Sequence, residues 1–139
     1  MNLLIAEDNE PEQVIIKEAF QEAGVEHDLY FVRDGIEALE FLKSQDASHP
    51  LPAIDLVLLD LNMPRKNGLE VLSEIKRNSK WAHVPVLVLS NSEFPKDIRR
   101  CYDMGANAYI NKPVDFEDFV GLARAINLFW LKLVRPCPN

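Results

Sequence analysis

Short apolar runs alternate along the chain with stretches in which apolar residues recur every three or four positions. The runs at 3–6, 29–32, 56–59, 86–89 and 108–110 are rich in β-branched residues or leucine and too short for stable helices, so they predict five strands. Between them, helical faces are predicted by Val14, Ile15, Ala19 and Phe20, by Ala38, Leu39 and Leu42, by Leu69, Leu72, Ile75 and Lys76, and by Ile98, Cys101 and Tyr102. The order is strand then helix, five times, which predicts an α/β fold with a doubly wound, five-stranded parallel sheet and five helices. Residues 56–59 and 86–89 are apolar at every position, as inner strands covered on both faces must be. Asp34-Gly35, His49-Pro50-Leu51-Pro52 and Lys112-Pro113 punctuate the pattern as turns or breaks.

The last helix, predicted over 116–131, carries more apolar surface than one sheet face needs. Phe116, Phe119, Val120, Ala123, Ile126 and Trp130 form one stripe, with Leu122, Ala125 and Phe129 beside it. Residues 129–139 continue this apolar character as a C-terminal extension of the helix and tail, and Phe119, Leu122, Phe129 and Trp130 are expected to help form an interface.

Composition narrows the function. A chain of 139 residues, 47% hydrophobic, is enough for one domain over 1–139 and one core. Lys and Arg number 15 against 22 Asp and Glu, and the net charge of -7 argues against direct DNA binding. The apolar runs are too short for a membrane span, and the first is followed at once by Glu7 and Asp8, so no signal peptide fits and a cytoplasmic protein is expected. Cys101 and Cys137 have neither metal-ligand spacing nor a plausible disulfide framework. His27, His49 and His83 lie in polar, loop-like settings away from the strand ends.

In an open parallel sheet, ligands bind beyond the carboxyl ends of the strands, so the residues just after each run matter most. Here they are Glu7-Asp8, Asp60, Ser90-Asn91 and Asn111-Lys112-Pro113. A carboxylate delivered by an inner strand is costly unless a cation or donors satisfy it, and converging carboxylates raise one another's pKa unless a divalent ion neutralises them. Hard oxygen ligands without His or Cys suit Mg²⁺ rather than zinc. Lys112 adds a compact cation and Ser90 a hydroxyl, which together can hold a phosphoryl group, and Asp60 is then the nucleophile that forms an acyl phosphate.

These residues resemble the receiver domain of two-component response regulators, over Asn2 to about Ala125. The likeness is carried by Glu7-Asp8, by Asp60-Leu61-Asn62-Met63-Pro64 with Gly68 beyond, by Ser90, by Tyr109 and by Lys112-Pro113. It implies a flavodoxin-like sheet of order 2-1-3-4-5. It also implies that Glu7, Asp8, Asp60 and the backbone carbonyl of Asn62 hold Mg²⁺, while Lys112 contacts the phosphoryl group. The family's switch would draw Ser90 toward the phosphate and turn Tyr109 inward, reshaping the face of the fourth helix, fifth strand and fifth helix. The Glu-Asp pair in place of Asp-Asp, and Ser in place of Thr, depart from the family's usual residues without removing an oxygen ligand or a hydroxyl. The opening Ile5-Ala6-Glu7-Asp8-Asn9, the acceptor segment and Phe129-Trp130-Leu131 are similar to the single-domain regulators served by cyanobacterial phytochrome kinases. That likeness implies a sensor histidine kinase as partner and a homodimer built with the last helix. With nothing fused after Asn139, output is expected through protein contacts or onward phosphoryl transfer.

Three rival readings fit less well. A phosphatase of the haloacid dehalogenase type needs an acid two residues after its nucleophile, where Asn62 stands. A flavodoxin-type cofactor binder needs a phosphate cradle after the first strand, where Glu7-Asp8-Asn9-Glu10 would repel phosphate. A pseudo-receiver used only for binding has no need of the intact acidic cluster. The chain is therefore expected to be a phosphoacceptor rather than an enzyme. For single residues the plain alternatives are a helix-capping Asp60, a core Tyr109, and a last-helix stripe packed only within its own chain.

Overall fold

A computed structural model describes residues 1–25, 27–44, 53–63 and 67–138. The break at His49–Pro52 and Pro64 of the acceptor segment lie outside the described residues. The elements run β1 (Asn2–Ala6), α1 (Glu10–Glu22), β2 (Asp28–Val32), α2 (Gly35–Lys43), β3 (Leu56–Asp60), α3 (Gly68–Arg77), β4 (Val86–Ser90), α4 (Pro95–Asp103), β5 (Ala108–Asn111) and α5 (Phe116–Ile126). A π-helical segment, Asn127–Leu133, follows directly. The five strands are parallel in the order β2-β1-β3-β4-β5, so the predicted fold class is the observed one.

Strand periodicity splits the core in two. Leu4, Val57, Leu59, Val86 and Val88 point to one face, against Leu39, Leu42, Val71, Leu72 and Ile75 of α2 and α3 and Cys101 of α4. Leu3, Ile5, Leu56, Leu58, Leu87 and Leu89 point to the other, against Ile16, Ala19 and Phe20 of α1 and Phe119, Val120, Ala123 and Ile126 of α5. Every residue of β3 and β4 is buried, which is why their sequences lack alternation.

Four helices start on the same chemistry. Asn9, Asp34, Asn67 and Asp115 each accept a hydrogen bond from the backbone N–H three residues on, at Glu12, Glu37, Glu70 and Asp118. Each cap satisfies an orphan donor and fixes where a strand-end loop turns into helix.

Two local expectations change, and a third, Lys76 in an apolar stripe, finds its reason. Val14 is 54% exposed and Ile16 takes the buried position of α1. Lys76 sits on the apolar side of α3 because its ammonium donates to the Ala82 and Val84 carbonyls and to Asn107 Oδ1, at 3.2, 2.8 and 3.0 Å. The last helix does not stay α-helical to Leu131. Its i to i+5 turns place Leu131 near Ile126, and both are buried.

Phe119 is only 5% exposed and belongs to the chain's own core, so it offers no surface to a partner unless that core opens. Leu122 and Trp130 are half-buried against the same core. The outward apolar groups of this region include Phe116, which the sequence placed in the stripe, together with Leu128, Phe129 and Leu133. No helix among the described residues is long and apolar enough to cross a membrane.

Candidate functional site

With β1 placed between β2 and β3, chain direction across the sheet reverses at the β1–β3 boundary, and the site lies just beyond it. β1 runs into Glu7, β3 ends in Asp60, β4 ends in Ser90, and Lys112 follows β5. Backbone bonds tie these ends together: Leu61 N–H donates to the Leu89 carbonyl and Lys112 N–H to the Ser90 carbonyl.

Glu7, Asp60 and Ser90 are buried, whereas Asp8 is exposed. One carboxylate oxygen from each of Glu7, Asp8 and Asp60 lies within 4.8 Å of the others, a spacing suited to a shared cation. Asp60 Oδ1 accepts from the Asn62 N–H at 3.0 Å, and Asp60 Oδ2 from Lys112 Nζ at 2.9 Å. Glu7 Oε1 accepts from the Asn9 N–H. Its Oε2 is 3.0 Å from Lys112 Nζ yet completes no hydrogen bond among the described residues.

Burial pushes the Glu7 carboxyl up to about 8, reinforced by hydrogen bonding to and repulsion from Asp60 and only partly opposed by Lys112 and the Asn9 N–H. Burial pulls Lys112 down, but Glu12, Asp60 and Glu7 outweigh it and hold the ammonium above the ordinary lysine range. The donor set therefore fits a hard divalent cation: three clustered carboxylates, an unsatisfied Glu7 oxygen, and a buried Glu7 carboxyl whose raised pKa a bound cation would lower.

Ser90 Oγ accepts from the Ser92 N–H at 3.1 Å. Tyr109 is half-buried, and its hydroxyl donates to the Ser92 carbonyl at 2.8 Å, so both predicted switch residues meet the same β4–α4 loop. A cleft lined by Leu61, Asn62, Asn67, Ser90, Ser92 and Asp97 opens beside the end of β3.

Sequence reasoning missed Glu12, whose carboxylate also reaches Lys112. Its available signal is an acid three residues after the capping Asn9, but that pattern points to a capping box rather than to the site.

The sequence profile of the response regulator receiver domain matches residues 3–124. The chain belongs to the response regulator receiver family. It is 35% identical over 132 residues to "Response regulator Rcp1" of Synechocystis sp., covering 95% of this receiver and 90% of that protein. The crystal structure of the phosphorylated cyanobacterial phytochrome response regulator RcpA superposes with a TM-score of 0.89 at 36% identity, over 99% of this chain and 98% of that one. The Mn²⁺-bound form of Rcp1 gives 0.86 at 34% identity, over 99% of each chain. This receiver is thus a response regulator of two-component signalling with phytochrome-associated relatives.

Proposed function

We propose that Asp60 accepts a phosphoryl group from a sensor histidine kinase, with Mg²⁺ held by Glu7, Asp8, Asp60 and the backbone carbonyl of Asn62. The observation that carries this reading is a buried Asp60 carboxylate hydrogen-bonded to Lys112, whose side chain is 8% exposed, beside two further carboxylates. In the transfer, an Asp60 oxygen forms the new O–P bond as the N–P bond of a phosphohistidine breaks, and the electron pair returns to the imidazole. Bound Mg²⁺ supplies charge neutralisation for the phosphoryl oxygens. Lys112 donates to a phosphoryl oxygen, the Asn62 N–H orients Asp60 through Oδ1, and Ser90 supplies a hydroxyl at the neighbouring strand end.

Ser90 and Tyr109 then form the output switch, a reading supported by their shared bonding to the Ser92 backbone. Likeness to Rcp1 and RcpA supports a phytochrome kinase as donor, and the exposed Leu128, Phe129 and Leu133 support a homodimer through the C-terminal segment. The net charge of -7 supports output through protein contacts rather than DNA. A haloacid-dehalogenase-type phosphatase is disfavoured because Asn62 engages Asp60 through its backbone N–H and has no acid to donate. Incubation with acetyl phosphate and Mg²⁺, followed by intact mass, tests the proposal. Wild type should gain one phosphoryl group and Asp60→Asn none.

Glu7 gives a pH signature. Its folded-state pKa is raised from 4.5 to about 8, so in the metal-free protein its contribution to stability is fully present below 4.5 and is lost as pH rises through about 8. Mg²⁺ must displace that proton. Titration calorimetry in buffers of different ionisation heat should show release of about one proton per Mg²⁺ at about pH 7 and almost none at about pH 9. Equal release at the two pH values would contradict the assignment of Glu7 as a metal ligand.

A further inference from the structure

Lys112 has one more partner than phosphoryl transfer uses. Its ammonium is 2.5 Å from Glu12 Oε2, 2.9 Å from Asp60 Oδ2 and 3.0 Å from Glu7 Oε2. Asp60 Oδ2 takes the hydrogen bond, while Glu7 and Glu12 sit at ion-pair distance around the same ammonium, so a phosphoryl oxygen must displace a carboxylate to reach it.

Glu12 does not reach Lys112 merely because of where helix α1 begins. It is the third residue after the capping Asn9, where a Glu ordinarily turns back to the cap's own N–H. Here the Asn9 N–H donates to Glu7 Oε1 instead, and the Glu12 carboxylate goes to the lysine. Glu12 Oε2 is shielded from solvent and completes no hydrogen bond among the described residues, so the Lys112 charge is its compensation. The other two carboxylates have work elsewhere in the proposed mechanism. Asp60 becomes the acyl phosphate, and Glu7 lies in the metal cluster. The Glu12 side chain is 32% exposed, against 2% for Glu7 and 5% for Asp60, so it alone can swing into water at little cost.

We infer that Glu12 is a positioning residue that holds Lys112 in the unphosphorylated state and is exchanged for the phosphoryl oxygen when Asp60 is modified. This rests on the phosphoacceptor reading above. Glu12 acts as an internal competitor, setting how readily the site charges by holding an ion-pair position beside the ammonium that the phosphoryl group needs. No bond is made or broken at Glu12; one ion-pair partner of Lys112 replaces another.

The test compares Glu12→Gln, which keeps length and removes charge, with Glu12→Asp, which keeps charge but shortens the arm. The full chain is charged with acetyl phosphate and Mg²⁺ and followed by intact mass. Both variants should phosphorylate about fivefold faster than wild type, the fold-change expected for removing a partly exposed ion pair that competes for the lysine. Diffuse repulsion of the phosphodonor would leave Glu12→Asp at the wild-type rate, and that result overturns the inference. So does a slower rate in both variants, which a purely structural role would give. If wild type takes up no phosphoryl group, the functional reading fails and this inference with it. If wild type charges and both variants match it, only the role of Glu12 falls.

Discussion

Lys112→Met should cut phosphoryl uptake on Asp60 by about two orders of magnitude, in the range found when one charge-stabilising donor is removed from a reacting centre. The loss should appear in the rate at saturating phosphodonor, because the ammonium stabilises charge on the transferring oxygens as the N–P or O–P bond of the donor breaks. The same change should lower stability. The Lys112 and Asp60 side chains are 8% and 5% exposed, so removing the cation leaves the buried Asp60 carboxylate without its counter-charge. Breaking such a group costs about 3 kcal/mol. The sign with pH follows from Glu7, whose carboxyl already holds its proton to about 8. The deficit should therefore grow as pH rises through about 8, where Glu7 ionises and needs the counter-charge that Lys112 supplied. Mg²⁺ should recover part of it by supplying the missing charge. Urea unfolding with and without Mg²⁺ at several pH values measures this. A metal-free variant as stable as wild type at neutral pH would contradict the electrostatic picture of the cluster.

Gly68→Ala should have an effect of similar reach through geometry alone. Gly68 opens α3, and its N–H donates to the Leu61 carbonyl at 2.9 Å, closing the loop that leaves the acceptor. A Cβ here would lie 2.6 Å from the Asp60 carbonyl oxygen and 2.6 Å from Leu61 Cα. Both are backbone atoms beside the reacting carboxylate, so the loop itself must move. Overpacking of this kind costs about 2 kcal/mol. A displacement of about 1 Å at Asp60 is enough to slow phosphoryl uptake by up to about a hundredfold. Gly121 in α5 is the control, since among the described residues no neighbour is found within 4 Å of a Cβ built there. Gly121→Ala should leave uptake unchanged and stability equal or slightly higher. If Gly68→Ala charged at the wild-type rate, the close approach at the acceptor loop would have no functional weight.

The frame of the site was legible in the sequence because it follows from strong, local signals. Residues 56–59 and 86–89 are uniformly apolar, so they had to be inner strands, and the first polar residue after each had to stand at a sheet end. Asp60 and Ser90 proved to be the last residues of their strands rather than the first of their loops, a difference of one position. Less legible were features decided by tertiary contact. Val14 and Ile16 are both apolar and lie on different faces of α1, so only docking on the sheet chooses between them. Lys76 looks like an intruder in an apolar stripe until the carbonyls of Ala82 and Val84 are in place. The π-helical turn that buries Leu131 has no sequence signature that separates it from an α-helix. Phe119 and Phe129 read alike in sequence, yet one fills the core and the other stays exposed. Glu12 was hidden for the opposite reason: its local pattern offered an ordinary capping role, and Lys112 lies far along the chain.

The central claim is that one carboxylate, Asp60, carries the phosphoryl group. Borohydride cleaves an acyl phosphate reductively and converts the aspartate that bore it into homoserine, so peptide sequencing by mass spectrometry after charging with acetyl phosphate and Mg²⁺ locates the site directly. Homoserine at position 60, and at no other aspartate, is the predicted result. Homoserine at Asp8 or elsewhere, or none in protein shown to be folded and metal-loaded, would contradict it.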